Sequence, residues 1–247
     1  MLEIIWNRSP AKLSLTPEAV HVWRASLLQL PERYERLVQT LSADEQLRAE
    51  RFRFEQVKRR FKTGRGLLRL LLSRYLEIAP AQIQFEYGVQ GKPALAEKLN
   101  KIDLRFNLAH SEDFISLAVS CGREIGLDLE LIRPLKEAEK IAEQFFSTSE
   151  YTKLCSLTDK EKVLGFFNCW TRKEAYIKAQ GSGLAYPLNQ FEVSLAPGEP
   201  PALLNVAGAP QETSRWSWQE LIPAEGYLAA LIVEGHNWNL ACWDFFD

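Results

Sequence analysis

Two acidic side chains alternate with apolar ones in residues 125–131, Ile-Gly-Leu-Asp-Leu-Glu-Leu. The alternation predicts a strand, and because side chains two residues apart share a face, Asp128 and Glu130 project together, opposite the leucines. Like charges at neighbouring positions repel, so the pair needs solvent or a cation, and oxygen ligands favour a hard ion such as Mg²⁺. The segment therefore indicates either a magnesium site or a solvated strand face.

A second charged group lies in residues 170–178, whose composition is typical of a helix. Because helical positions four apart share a face, Trp170, Glu174 and Lys178 form one stripe, with a carboxylate and an ammonium beside an aromatic ring. An exposed Glu–Lys pair at this spacing is also an ordinary surface feature, worth about 0.3 kcal/mol. The following Gly181-Ser182-Gly183 lacks the third glycine of a dinucleotide fingerprint and predicts a helix end.

Positive charge is concentrated between Arg48 and Arg74, where ten basic residues stand against two acidic ones in a chain of net charge −2. An exposed basic helix can bind nucleic acid, a phosphate-rich cofactor or an acidic partner protein. No nucleic-acid motif accompanies the segment. It is therefore either a surface for phosphate or an acidic partner, or a solvated helical face.

A histidine and a lysine occupy predicted turns, where side chains are accessible. His110, one of three histidines, follows the predicted strand end 106–109 and precedes the polar turn 111–113. Such a histidine can contact a ligand, although a lone histidine is more often structural. Lys92 lies in Gly91-Lys92-Pro93, which by itself predicts a turn with an exposed lysine. Neither residue alone identifies a reaction.

Two helical regions and several strands must position these residues. Each helical region opens with the capping-box spacing of a serine and a glutamate three residues later. The helical regions run from Ser42, with or without a break, to about Leu76 and from Ser147 towards Gly181; the strands are 115–121, 125–131, a segment around 216–218, and 227–233. The turn at Gly122 joins the first two strands and predicts a hairpin near the midpoint of the chain.

The two helical regions also repeat each other weakly. The capping serines Ser42 and Ser147 are 105 residues apart, and Phe61 and Phe166 have the same separation. A single shared offset arises either from an internal duplication or by chance. A duplication predicts two similar α+β halves with a cleft between them.

The composition is that of a globular protein and excludes several classes of function. A chain of 247 residues, 46% hydrophobic and 25% charged, can bury a core as one large domain or two. No apolar run approaches the roughly 20 residues of a membrane span, and no signal-peptide pattern is present. The four scattered cysteines predict free buried thiols rather than a disulfide framework or metal knuckle. We therefore expect a cytoplasmic protein that binds neither membrane nor nucleic acid.

Taken in order, four segments resemble the motifs of the surfactin-type 4′-phosphopantetheinyl transferases. Gly91-Lys92-Pro93 is similar to the family's G-K-P motif, residues 106–111 (Phe-Asn-Leu-Ala-His-Ser) to F-N-x-S-H-S, residues 126–130 to G-x-D-x-E, and residues 170–178 to W-x-x-K-E-A-x-x-K. The resemblance extends from about Arg48 to Leu188. Ala109 departs from it, replacing the serine before the histidine, so a backbone group or water must make any phosphate contact of that hydroxyl.

The resemblance implies an α+β fold of two similar halves, related by a pseudo-twofold axis, with coenzyme A in the cleft between them. We expect the first half to be residues 1–121, with the basic helix and the first two motifs, and the second half to be residues 122–247, with the other two. Because such a chain contains the whole cleft, we expect a monomer.

The resemblance also implies a role for each candidate residue. Mg²⁺ would be held against the pyrophosphate of coenzyme A by Asp128, Glu130 and Glu174. The phosphates would be contacted by Lys92 and His110, and Lys178 would lie near the bridging oxygen. Candidates for binding the 3′-phosphate or the adenine end are Arg48, Arg60 and Arg65. Glu174, Lys178 and His110 form the expected catalytic set. Glu174 would accept a proton directly or through a metal-bound water, and Lys178 would protonate or shield the leaving phosphate.

The implied reaction is transfer of the 4′-phosphopantetheine arm of coenzyme A to a serine of an apo acyl or peptidyl carrier protein, with release of 3′,5′-adenosine diphosphate. The alternative is a non-catalytic protein that binds coenzyme A or an acidic partner through the basic helix, in which case the three carboxylates are incidental.

Overall fold

The computed structural model describes residues 4–245, apart from the side chain of Leu184. The first half of the protein ends near the midpoint of the chain, at Cys121. Its strands and helices are, in chain order, β1 (Trp6–Asn7), β2 (Ala19–Ser26), α1 (Pro31–Val38), α2 (Ala43–Glu50), α3 (Glu55–Leu76), β3 (Phe85–Tyr87), β4 (Pro93–Leu95), β5 (Leu104–Ser111) and β6 (Phe114–Cys121). Short 3₁₀ turns follow α3 and β4, at Pro80–Gln82 and Glu97–Leu99.

Apart from β1 and its own last strand, the second half largely repeats this order of strands and helices. It contains β7 (Ile125–Leu131), α4 (Ala138–Phe145), α5 (Thr148–Ser156), α6 (Asp159–Gln180), β8 (Phe191–Val193), β9 (Leu203–Val206), α7 (Glu212–Arg215), β10 (Trp216–Leu221), β11 (Tyr227–Glu234) and β12 (Asn239–Asp244). Two 3₁₀ turns, Gly183–Ala185 and Leu188–Gln190, join α6 to β8.

Strand order repeats as well. In the first half β6 lies between β2 and β5, and in the second half β11 lies between β7 and β10, with antiparallel pairing throughout both sets. Each half also has a small two-stranded pair, β3 with β4 and β8 with β9. The expectation of an α+β fold is confirmed, and the common order of strands and helices is that of a duplicated unit.

Local signals account for the helix ends. Both predicted capping boxes form: the amides of Ser42 and Ser147 bond the carboxylates of Glu45 and Glu150, at 3.1 and 2.8 Å. The first helical region breaks at residues 51–54, between α2 and α3. Helix α6 ends at Gly181, whose φ of 70° is easily reached because glycine has no Cβ.

Two expectations are corrected. The predicted hairpin of β6 and β7 is wrong: β2 and β5 occupy both edges of β6, so β7 leaves that sheet and pairs with β11. Among the cysteines, all free as expected, Cys169 and Cys242 are buried but Cys155 is exposed and Cys121 only partly covered.

Each half has its own core, and a third core joins them. Aromatic residues such as Trp23 and Phe106 pack beneath α3, while Phe166 and Tyr176 of α6 pack in the second half. Between the two sheets lie the apolar faces of β2, β7 and β11. Across residues 4–245, no helix has the length and apolar character needed to cross a bilayer.

Candidate functional site

The two halves meet along β5 and β7, which lie side by side in the same direction. In the described part of the chain no backbone ladder joins these strands. Two side chains of β5 take its place: the Leu127 N–H donates to Asn107 Oδ1 at 2.9 Å, and the Leu131 N–H donates to Ser111 Oγ at 3.1 Å. The candidate site is built along this seam.

Helix α6 packs against β7 beside the seam, and three residues on one of its faces are partly exposed. From Gly165 to Ala179 every residue is buried except Trp170, Glu174 and Lys178. These are the three residues of the predicted stripe, so the predicted common face is confirmed. The rest of the helix is held by the core of the second half, which prevents rotation of the stripe away from the seam.

Lys178 binds across to the strand. Its Nζ donates to Asp128 Oδ1 at 2.6 Å and to the Leu127 carbonyl oxygen at 3.3 Å. The alternative of an ordinary surface pair between Glu174 and Lys178 does not hold, because the ammonium of Lys178 binds the carboxylate of Asp128 on another element. The other oxygen of Asp128, Oδ2, is buried and has no hydrogen-bond partner.

The remaining two carboxylates face Asp128. The Ser111 hydroxyl donates to Glu130 Oε2 at 2.7 Å. No cation of residues 4–245 lies within ion-pairing distance of Glu174. Burial, with the negative charges of Asp128 and Glu130, raises the pKa of Glu174 to about 7. Burial also raises the pKa values of Asp128 and Glu130, although Lys178 opposes the first and Ser111 the second.

His110 lies on β5, one residue before Ser111, with its side chain exposed at the rim of the site. Desolvation by its neighbours lowers the pKa of His110, and the charge of Lys178 lowers it further, while Asp128 raises it. The imidazole is therefore predominantly neutral at pH 7, with a nitrogen available to accept or donate a hydrogen bond.

Lys92 bridges the halves rather than projecting freely from a turn. Its Nζ donates to the carbonyl oxygens of Ala179 (3.2 Å) and Ile125 (3.4 Å) and lies 3.7 Å from Glu124 Oε2. It lines a cleft of about 770 Å³, whose walls come from both halves and include Arg105. The three carboxylates are not part of that lining, but Lys92 joins the wall of the cleft to β7 and α6 through its bonds to Ile125 and Ala179.

The three basic candidates of the first half have different surroundings. Arg60 is paired with Asp113 at 2.7 Å and Glu112 at 3.2 Å. Arg65 donates to the Tyr87 hydroxyl at 2.6 Å and stacks on aromatic rings. Arg48 is exposed, and its guanidinium carbon lies 5.5 Å from the centre of the Phe61 ring. The role of all three at a 3′-phosphate stays a prediction.

The donors at the seam fit a hard cation, although they do not form a finished metal site. Among the described residues no three carboxylate, imidazole or thiol side chains converge closely enough to hold an ion as they stand. The buried, unpartnered Oδ2 of Asp128 and the neighbouring Glu130 and Glu174 nevertheless supply only oxygen, which Mg²⁺ prefers. Bound phosphate and water supply further oxygen ligands in such sites.

Sequence reasoning named the charged residues but missed the neutral ones that place them. Asn107 and Ser111 were inside a recognised motif, and their i, i+4 spacing on a strand puts them on one face. Gly126 was also inside a motif. A Cβ there would lie 1.9 Å from the Ala175 carbonyl oxygen, so only glycine lets β7 approach α6 this closely.

Comparison with known proteins agrees with these observations. Residues 124–232 match the model of the 4′-phosphopantetheinyl transferase superfamily, and residues 23–122 match that of the 4′-phosphopantetheinyl transferase N-terminal region. A solved structure, the holo-[acyl-carrier-protein] synthase of Thermotoga maritima, aligns with a TM-score of 0.33 and 20% identity over 45% of this chain and 62% of that one. This structural likeness is too weak to support an argument.

Two relatives are similar to a larger part of the chain than this solved structure is. The 4′-phosphopantetheinyl transferase HetI of Nostoc sp. is 41% identical over 245 residues, which cover 99% of this chain and 100% of the relative. The transferase Sfp of Bacillus subtilis is 31% identical over 66% of this chain and 70% of its own. These names lend no support to a non-catalytic binding protein. Because the first of these likenesses covers nearly all of this chain and all of the relative, this protein belongs to the 4′-phosphopantetheinyl transferase family.

Proposed function

We propose that this chain transfers the 4′-phosphopantetheine of coenzyme A to a carrier-protein serine at a Mg²⁺ site made by Asp128, Glu130 and Glu174. Transfer of phosphopantetheine to carrier proteins is its activity as a family member; the proposal concerns the metal and the residues. The observation that carries it is the buried, unpartnered Asp128 Oδ2 beside two further carboxylates. A buried anionic oxygen without a partner is costly unless a ligand completes it.

The reaction forms one bond and breaks another at the β-phosphorus of coenzyme A. The carrier serine oxygen bonds to phosphorus, the bond to the bridging oxygen breaks, and 3′,5′-adenosine diphosphate leaves with that bonding pair. The serine proton goes to Glu174, directly or through a bound water, because this carboxylate lies where the attacking oxygen must approach. Bound Mg²⁺ supplies charge neutralisation and orientation of the phosphate oxygens.

Three other side chains stabilise the charge that develops on the leaving group. Lys178, already near Asp128, provides an ammonium beside the bridging oxygen. Lys92 lines the cleft on one side of the seam, and neutral His110 lies at the rim, so both can contact phosphate oxygens. These contacts hold the pyrophosphate in position for attack, which is the larger part of catalysis in phosphoryl transfer.

The carrier protein docks on the basic surface of the first half. Arg51 and Arg53 are exposed, and in residues 4–245 neither is joined to an acidic side chain. The exposed Phe54, 64% accessible, adds an apolar contact next to them. Carrier proteins are typically acidic, so charge complementarity supports this surface as the docking site. The surface lies on the same half of the protein as Lys92, which lines the cleft.

The three carboxylates are distinguished by titrating Mg²⁺ against the initial rate for Asp128→Asn, Glu130→Gln and Glu174→Gln. Loss of a metal ligand weakens Mg²⁺ binding, so excess Mg²⁺ should recover part of the rate of the first two variants. Loss of the base should lower kcat by about 10²–10⁴-fold in Glu174→Gln, with no rescue by Mg²⁺. Transfer is measured as the mass increase of an apo carrier protein incubated with coenzyme A.

Coenzyme A binding, measured in parallel, is the control for folding. Glutamine keeps the size and helix propensity of Glu174, so Glu174→Gln should still bind coenzyme A. Full recovery of that variant at high Mg²⁺ would move the proton-accepting role to water. Near-normal activity of Asp128→Asn at low Mg²⁺ would refute the metal site.

We also propose that the protein is a cytoplasmic monomer. The seam of β5 with β7 and the cleft beside Lys92 are formed by one chain, so a second copy is unnecessary for the site. Light scattering should give the mass of a single chain. A stable dimer that loses activity on dissociation would contradict this.

A further inference from the structure

The outer edge of β7 is unusual among the strands that carry the site. β7 pairs with β11 on one side, whereas its other edge faces β5 with no backbone ladder in the described residues. Amides at a strand edge that is covered by another element need a partner, since a buried N–H without one costs about 1–3 kcal/mol. This edge therefore depends on side chains.

Two side chains of β5 match that edge in spacing. Asn107 and Ser111 are four residues apart, and so are the amides that they bind, those of Leu127 and Leu131. A shift of one residue between the strands would turn both side chains away from the amides, because side chains alternate between faces. The pair therefore fixes the register between the two halves, on which the relative position of their catalytic groups depends.

Ser111 makes a second bond that Asn107 does not. A hydroxyl has one proton to donate and two lone pairs, so Ser111 can accept from the Leu131 N–H and at the same time donate to Glu130 Oε2. The serine is thus bonded both to the backbone after Glu130 and to its carboxylate. The bond from the Leu131 N–H holds the Ser111 hydroxyl in place, and the bond to Oε2 restricts the rotamer of Glu130 and the direction of its second oxygen.

The geometry points to Ser111 as a positioning residue that orients Glu130 for Mg²⁺, with Asn107 holding the backbone beside Asp128. This inference rests on the proposed metal site. Side chains that hydrogen-bond to metal ligands typically account for about 10–100-fold in metal affinity or activity. Ser111→Ala should therefore weaken Mg²⁺ binding about 10–100-fold, raise the Mg²⁺ concentration for half-maximal rate accordingly, and leave the KM for coenzyme A at saturating Mg²⁺ within about twofold.

The test compares Ser111→Ala with Ser111→Thr and with Ser120→Ala. Threonine keeps a hydroxyl and should restore most of the Mg²⁺ affinity. Ser120 lies on the neighbouring strand β6, and its hydroxyl donates to the Arg123 carbonyl oxygen at 2.8 Å, so Ser120→Ala removes a buried serine hydroxyl without touching Glu130. Calorimetric titration with Mg²⁺ in the presence of coenzyme A, and amide exchange of Leu131 by NMR, give two readouts besides activity.

The expected result is weaker Mg²⁺ binding and faster exchange of the Leu131 amide in Ser111→Ala alone. Equal Mg²⁺ affinity in wild type and Ser111→Ala, or equal loss in Ser120→Ala, would overturn the role of Ser111. A wild-type rate that is indifferent to Mg²⁺ and chelator would instead overturn the metal site of the proposed function. The two failures are therefore distinguishable.

Discussion

At the scale of single residues, the chemistry of this site depends on what burial does to charge. Burial and the negative charges of Asp128 and Glu130 together raise the pKa of Glu174 to about 7, although the charge of Lys178 opposes them. Asp128 is buried more deeply, but Lys178 compensates one of its oxygens. Three chemically similar carboxylates thus differ in their surroundings: Glu174 has a pKa near neutral, Asp128 is paired with Lys178, and Glu130 accepts a hydrogen bond from Ser111.

The raised pKa of Glu174 has a measurable effect on stability. Its pKa is about 7 in the folded chain but 4.5 when unfolded, so the folded state binds the proton more tightly. The contribution to the free energy of unfolding is full below pH 4.5 and is lost as the pH rises through about 7, by up to about 3 kcal/mol. Glu174→Gln carries no titrating group there and should lack this loss.

Urea unfolding at pH 5 and pH 8, in the presence of chelator, measures the effect. Titrating groups distant from the site act equally on wild type and Glu174→Gln, so the difference between the two proteins reports Glu174 together with its coupling to Asp128 and Glu130. The wild type should lose more stability between the two pH values than the variant. An identical loss in both would show that Glu174 titrates normally.

At the scale of elements, the site depends on how closely β7 approaches α6. Gly126 makes that contact: a Cβ there would lie 1.9 Å from the Ala175 carbonyl oxygen and 2.7 Å from the Ala179 amide nitrogen. The obstacles are backbone atoms of a buried helix, which cannot move aside as a side-chain end can. The same contact brings Asp128 within 2.6 Å of Lys178.

Gly126→Ala should therefore separate strand from helix and destabilise the protein. Overpacking typically costs about 1–3 kcal/mol, and a clash with backbone should exceed that range and abolish transfer. The control is Gly64→Ala on α3, where the nearest atom is Ile115 Cδ1, a side-chain end at 3.2 Å. That variant should keep its activity and lose at most about 1 kcal/mol. Thermal unfolding that ranks Gly64→Ala below Gly126→Ala would contradict the argument.

At the scale of the whole molecule, two similar halves form a single site. Counted from the start of each helix, Leu70 of α3 corresponds to Glu174 of α6. Leu70 packs against the core of the first half. Strand β12 of the second half pairs in parallel with β2. Trp238, just before it, donates to Ser217 of β10 at 2.6 Å. In the internal repeat, the place that corresponds to the seam between β5 and β7 is thus filled by strands and apolar residues.

The distribution of charge over the two halves predicts how the carrier protein docks. Screening is strong beyond a Debye length of about 8 Å at physiological ionic strength, so salt should raise the KM for carrier protein more than it changes kcat. Arg51→Gln with Arg53→Gln should raise that KM and weaken its salt dependence. The matched control removes two exposed cations of the second half, Lys136→Gln with Lys140→Gln. A KM that responds to the control pair instead would move the docking surface to the second half.

The sequence by itself determined the local elements and the identity of the reactive groups. Alternation placed Asp128 and Glu130 on one strand face, helical spacing placed Glu174 and Lys178 on one stripe, and the capping boxes set where helices begin. These features depend on backbone geometry and on residues a few positions apart, so a linear pattern contains them. The family motifs likewise need only the order of residues.

Only the tertiary structure decided which groups meet. Lys178 bonds to Asp128, 50 residues away, rather than to Glu174, and Lys92 reaches Ala179, 87 residues away. The pairing of β7 with β11, which the predicted hairpin missed, is of the same kind. These pairings and the pKa of Glu174 depend on packing, on burial and on the competition of distant partners for the same hydrogen-bonding groups. None of these leaves a periodic pattern in the sequence.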